Sequence, residues 1–100
     1  DAGTFSAAED FAVMFMGIRR GEVVGTPTGG STGNGVRVTL FDDDGSFANI
    51  CSKHDTAPDG TEFVGYGIRP TFVVGETYKS HFKDKHDATM TKALEILTGR

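Results

Sequence analysis

The chain has 100 residues, of which 37% are hydrophobic and 24% charged, with a formal net charge of −4. This length and composition predict one small globular domain with a modest core. The interspersed, slightly acidic charge argues against a nucleic-acid partner, and no apolar run is long enough to span a bilayer.

The first predicted element is a helix over residues 6–20, which Gly21 would end. Apolar side chains recur along it at three- and four-residue spacing, which predicts one buried face. The residues of this face are Ala8, Phe11, Ala12, Phe15 and Ile18.

Ser6 begins this helix and has two interpretations. With Glu9 it matches a capping box, in which the Ser6 hydroxyl accepts from the Glu9 N–H and the Glu9 carboxylate accepts from the Ser6 N–H. Alternatively, Ala7 and Ala8 leave the serine oxygen uncovered beside helix N–H groups of partial positive charge. A serine there is a candidate nucleophile, whose oxyanion would meet a backbone N–H. Taken alone, the stretch favours the cap, since such caps are common.

Short strands and turns fill the middle of the chain. Residues 22–25 predict a short strand, and the small-residue loop over 26–35 is either a flexible connection or an edge that binds substrate. Residues 36–41 and 46–52 predict a hairpin around the acidic turn at 42–45. This turn lacks the spacing of an EF-hand. Residues 61–70 predict a short strand that is broken by glycines and has Pro70 at its end or at an edge, and residues 71–74 predict another short extended piece.

No metal site or cofactor is predicted. The only cysteine, Cys51, excludes a cysteine cage and fits a small strand residue. His54 and Asp55 have the residue types of a general base and the carboxylate that orients it. Sequence neighbours in a loop, however, seldom hold the geometry in which the carboxylate accepts from the imidazole. His81 and His86 are poorly spaced for a shared metal. A closing helix begins after Asp87 as N-cap and ends at Gly99.

Four segments in this order resemble one family, the C-terminal-processing (tail-specific) serine peptidases, and within it the branch like the tricorn core. The resemblance covers nearly the whole chain. The segments are FSAAEDF (5–11), VGTPTGGSTG (24–33), PDGTEFVGYGIRP (58–70) and ALEIL (93–97).

The resemblance implies an α/β (α+β) fold. The chain would be a fragment of a crotonase/ClpP-like spiral of ββα units, with a helix at each end and short, mostly antiparallel strands between. Residues 1–100 would be the C-terminal part of the catalytic domain, without its upstream strands. The uncovered sheet edge and helix face would then favour a homo-oligomer or a strand-exchanged dimer. An exported location, in the periplasm or cell envelope, is also implied.

The resemblance further implies an active site for cleaving a polypeptide substrate. Ser6 would be the nucleophile, the Ala7 N–H an oxyanion-hole donor, and Glu62 a member of a Ser-His-Ser-Glu tetrad. The His and the second Ser would lie upstream, so the isolated chain would be inactive. No lysine lies between Arg20 and Lys53, so the Ser-Lys dyad of the other branch is not expected. The residues expected to bind substrate are Gly29, Gly30 and Ser31.

Two other functions remain open on the same scaffold. In the first, the chain is a non-catalytic crotonase-like module that binds a peptide or hydrophobic ligand, and Ser6 is only a cap. In the second, it is a crotonase-type acyl-CoA enzyme, although the sequence contains no loop that supports this function. Both are kept because a fold does not determine a function.

Overall fold

The computed structural model describes residues 1–41, 44–75 and 86–99. Helices and short strands are mixed in it, which confirms the predicted α+β class. The elements are α1 (Ala7–Gly17), β1 (Val24–Gly25), β2 (Gly35–Thr39), β3 (Phe47–Cys51), β4 (Phe72–Val73) and α2 (Ala88–Thr98). Neither of these helices has the length and apolar character needed to cross a bilayer.

The strands form two separate pairs. β1 and β4 are parallel, with Val24 opposite Phe72. β2 and β3 form the predicted antiparallel hairpin, with Gly35 opposite Cys51. The β1–β4 pair brings the beginning of the glycine-rich loop next to the end of the 61–70 segment. That approach positions the candidate site.

Residues 61–70 are not the strand that the sequence predicts. They form turns, and their one β-type contact within the described part of the chain is an isolated bridge between Thr56 and Glu62. The physical reason is that Gly65 and Gly67 adopt φ values of 85° and 79°. Such angles interrupt an extended run and turn the chain back toward the glycine-rich loop.

α1 is shorter than predicted and ends at Gly17 rather than at residue 20. Ile18 follows it as the C-cap, and Arg19 adopts a positive φ of 52°. A left-handed residue directly after a helix ends it, as glycine usually does at this place. Arg19 and Arg20 therefore lie beyond the helix rather than in its last turn.

The predicted apolar face of α1 is only partly covered. Ala12 and Phe15 are half-buried, whereas Ala8, Phe11 and Ile18 are exposed, Phe11 and Ile18 by 69% and 72%. The one buried side chain of the helix is Glu9. It begins the face that continues through the partly covered residues Ala12, Val13 and Met16. This face also has three- and four-residue spacing, so periodicity alone did not distinguish the two.

The apolar core among the described residues is small and consists of Phe63 and Ile68, which are exposed by 4% and 8%. At the other end of the chain, Asp87 caps α2 as predicted, with its Oδ1 accepting from the Met90 N–H at 2.7 Å. Gly99 ends α2 in the left-handed conformation. The predictions for His81 and for residues 42 and 43 of the acidic turn lie outside the described residues.

Candidate active site

Ser6 stands immediately before α1 in a backbone conformation that is rare for serine. Its φ is 57° and its ψ is −130°. These angles suit the first central residue of a type II′ turn, a place that glycine usually takes. Holding a non-glycine residue there costs about 1–3 kcal/mol. A strained turn before a helix is also how many hydrolases present a serine nucleophile, and the Ser6 side chain is exposed.

The predicted capping box does not form. No side-chain hydrogen bond caps α1 from Ser6. Ser6 contributes its backbone carbonyl instead, which accepts from the N–H groups of Glu9 at 2.8 Å and Asp10 at 3.2 Å. The physical reason is the positive φ, since a capping serine needs the extended region. Within residues 1–41, 44–75 and 86–99 nothing hydrogen-bonds to the Ser6 hydroxyl, so this part of the chain places no general base on it.

The backbone N–H groups around Ser6 differ in what they bind. The N–H of Ser6 donates to the carbonyl of Ser31 at 2.8 Å and is not available to an oxyanion. The N–H of Ala7 finds no acceptor in the described part of the chain, as is usual in the first turn of a helix. The Ala7 N–H is therefore the neighbouring donor that a negative oxygen at Ser6 can use.

A buried carboxylate connects α1 to the glycine-rich loop. Glu9 is 0% exposed, and its Oε1 accepts from the Thr28 hydroxyl at 2.6 Å and from the Gly30 N–H at 2.7 Å. Its Oε2 accepts from the Ser31 N–H at 2.9 Å. No cation pairs with Glu9 among the described residues, so these three donors alone satisfy a carboxylate that is withdrawn from water.

The same loop is held from its other side by the turn at residues 63–68. Thr28 Oγ1, which donates to Glu9, accepts from the Ile68 N–H at 2.7 Å. The Gly30 carbonyl accepts from the Gly65 N–H at 2.6 Å. Gly30 has a φ of 67°, and a Cβ on it would lie 2.6 Å from the nitrogen of Gly67. Only glycine fits where these two backbones meet.

The residues predicted to bind substrate lie in this loop beside Ser6. The N–H and the carbonyl of Gly30 are both taken up inside the protein. Gly29 and Ser31 are exposed, and the Ser31 hydroxyl makes no hydrogen bond with the described residues. Of these three residues, Gly29 and Ser31 therefore lie at the surface, while Gly30 supports them from inside.

Glu62 is not joined to Ser6 by any hydrogen bond among the described residues. Its side chain is 61% exposed, and its Oε1 lies 3.8 Å from Nε2 of His54. Asp55 pairs with Lys53 at 3.0 Å, and this hydrogen bond raises the pKa of Lys53. His54 and Asp55 thus do not form a base and its orienter, in agreement with the sequence expectation.

A cavity of about 580 Å³ opens between α1 and residues 57–69. Its apolar lining includes Val13, Met16, Phe63 and Ile68, and Glu62 also lines it. Cavities of this volume accommodate small ligands or side chains. Among the described residues, no three His, Cys, Asp or Glu side chains gather in a way that suits a metal ion.

Glu9 is the site residue that sequence reasoning assigned wrongly, since it supports the loop instead of capping α1. A signal was present: Glu9 precedes apolar residues at positions 12, 13 and 16, so a helix places it on a covered face. A buried carboxylate needs donors, and the exposed amides of a glycine-rich loop supply them.

Most of the chain matches the model of a known protein family. A model of the family described as "Peptidase family S41" matches residues 1–74. The matched range contains Ser6, Glu9, the glycine-rich loop and Glu62. No curated protein sequence matches the chain significantly.

Proposed function

The chain belongs to peptidase family S41, a family of serine peptidases, and from this we propose that Ser6 is the nucleophile that cleaves a polypeptide substrate. The observation that carries the proposal is the backbone of Ser6, with a φ of 57° and a ψ of −130° directly before α1. The hydroxyl is exposed and has no internal partner among the described residues, so it is free to meet a substrate carbonyl.

In the proposed reaction the Ser6 oxygen attacks the carbonyl carbon of the scissile peptide bond while a base takes its proton. The oxygen of the tetrahedral intermediate accepts a hydrogen bond from the Ala7 N–H. The amine then leaves with a proton from the base, and water hydrolyses the acyl-enzyme by the same steps in reverse order. Gly29 and Ser31 offer the edge along which the substrate lies.

The base is proposed to come from a Ser-His-Ser-Glu tetrad, as in the branch like the tricorn core. Its His and second Ser would precede Asp1, and Glu62 would orient the assembly. The exposed carboxylate of Glu62 supports this, because its contact with His54 at 3.8 Å leaves it accessible to another group. Residues 1–100 would then form the C-terminal part of the catalytic domain, which the uncovered apolar side of α1 supports. An exported location belongs to the same proposal.

Peptide hydrolysis by the intact protein tests this function. We expect Ser6→Ala to lower kcat by at least about 10³-fold. Glu62→Gln should also lower kcat. Glu22→Gln, the same change at an exposed residue, should not. Turnover that survives Ser6→Ala would contradict the assignment of Ser6 as the nucleophile. Turnover that is lost in Ser6→Ala but kept in Glu62→Gln would remove Glu62 from the tetrad.

One observation favours a second function, a non-catalytic module that binds a peptide or hydrophobic ligand. This is the cavity of about 580 Å³ with its apolar lining. Ligand binding that raises the melting temperature equally in the wild type and in Ser6→Ala, without turnover in either, would support the module over the peptidase.

A further inference from the structure

We propose that Glu9 is the positioning residue of the nucleophile, an inference that rests on the proposed function of Ser6. Glu9 holds Ser6 at both of its backbone groups. Its own N–H donates to the Ser6 carbonyl at 2.8 Å. Its carboxylate accepts from the Ser31 N–H at 2.9 Å, and the Ser31 carbonyl in turn accepts from the Ser6 N–H at 2.8 Å.

These contacts close a ring. It runs from Ser6 along the first turn of α1 to Glu9, across to Ser31, and back to Ser6. A strained backbone persists only where surrounding contacts determine it from several sides. Breaking the contact between Glu9 and Ser31 would release the Ser31 carbonyl and, with it, the N–H of Ser6. The hydroxyl would then lose its orientation toward the substrate.

The ring requires a carboxylate, because every group that faces Glu9 is a donor. The backbone N–H groups of Gly30 and Ser31 can only donate hydrogen bonds. The Thr28 hydroxyl donates its hydrogen to Glu9, and its oxygen accepts from the Ile68 N–H. A carboxylate accepts at both oxygens, whereas the amide of glutamine has one acceptor and places N–H hydrogens against a donor. Glu9→Gln keeps the size of the side chain and removes only this match.

The test compares Glu9→Gln with the matched change Glu22→Gln in the intact protein. The rate of labelling by a fluorophosphonate is measured per folded molecule, with folding checked by circular dichroism. We expect Glu9→Gln to label roughly 10- to 100-fold more slowly, since small misplacements of a reacting group cost that much. The value of kcat should fall with little change in KM. Glu22→Gln should match the wild type.

Amide hydrogen exchange at Ser6, Gly30 and Ser31 gives a readout independent of labelling. Exchange at these three amides should accelerate in Glu9→Gln. Labelling at the wild-type rate, or unchanged exchange at all three amides, would overturn the inference. If Glu9→Gln does not fold, Thr28→Val removes one donor and Thr28→Ser keeps it. The first should then label more slowly and the second normally, and equal rates would overturn the inference.

The failure of the function and the failure of the inference are distinguishable. A folded wild-type protein that does not label at Ser6 contradicts the proposed function. Hydrogen exchange then still decides whether Glu9 holds the Ser6 backbone. Labelling of the wild type together with equal labelling of Glu9→Gln leaves the function standing and removes the positioning role.

Discussion

Glu9 and Ser31 are 22 residues apart in the chain and are joined by a hydrogen bond of 2.9 Å between a carboxylate oxygen and a backbone N–H. This bond connects the first turn of α1 to the glycine-rich loop. Ser31 uses its other backbone group as well, because its carbonyl accepts from the Ser6 N–H. The loop and the candidate nucleophile are therefore one structural unit, and changes in either should affect both.

Thr28 joins that unit to the turn at residues 63–68. Thr28→Val keeps the shape of the side chain but removes the donor to Glu9 and the acceptor for the Ile68 N–H. We expect it to lower the free energy of unfolding by about 1–3 kcal/mol, because partly buried groups lose their partners. Urea denaturation of Thr28→Val and Thr28→Ser measures this. Equal losses in the two variants would show that the hydroxyl is not responsible.

Gly30 lies where two backbones meet, so an added methyl group has no space. A Cβ there would lie 2.6 Å from the Gly67 nitrogen at a φ of 67°. Gly30→Ala should destabilise by at least about 2 kcal/mol. Gly60 has a φ of 86° with nothing within 4 Å of a Cβ, so Gly60→Ala carries the backbone cost alone, about 1–2 kcal/mol. Thermal unfolding that ranks Gly60→Ala as the more damaging would contradict this packing.

Asp59 gives a pH prediction. Its pKa lies below the ordinary value because the Thr61 N–H donates to its carboxylate at 2.9 Å. The folded pKa is thus lower than the unfolded pKa. The contribution of this hydrogen bond to the free energy of unfolding is present above the unfolded pKa of Asp59. It is lost as the pH falls through the folded pKa. NMR titration of the carboxyl carbon should show the lowered pKa in buffer and the ordinary value in urea. Equal values in both would contradict the contact.

The exposed side of α1 predicts self-association of the 100-residue chain. Phe11, Met14 and Ile18 are each more than two-thirds exposed, at 69%, 67% and 72%. Adjoining apolar side chains of this size associate in water. Sedimentation should show oligomers for the wild type and fewer for Phe11→Ser. Phe41→Ser, at a phenylalanine that is 61% exposed, is the matched control. A wild-type monomer at high concentration would contradict the prediction.

Local signals predicted part of this structure. The hairpin of β2 and β3 and the caps of α2 at Asp87 and Gly99 follow from residues close in sequence, and all are confirmed. The role of Glu9 depends on partners 19–22 residues away in the chain, and the conformation of Ser6 depends on Ser31, which is 25 residues away (31 − 6). The same two residues also satisfy a local capping pattern. Sequence therefore placed Ser6 at the start of a helix but did not determine where its hydroxyl points.

Fluorophosphonate labelling of the intact protein, followed by peptide mapping, tests directly whether Ser6 is the nucleophile. We expect a single label on Ser6, since its exposed hydroxyl stands in a strained turn beside the Ala7 N–H. Ser6→Ala should abolish it. A folded protein that carries no label, or carries it on another residue, would contradict the assignment of Ser6 as the nucleophile.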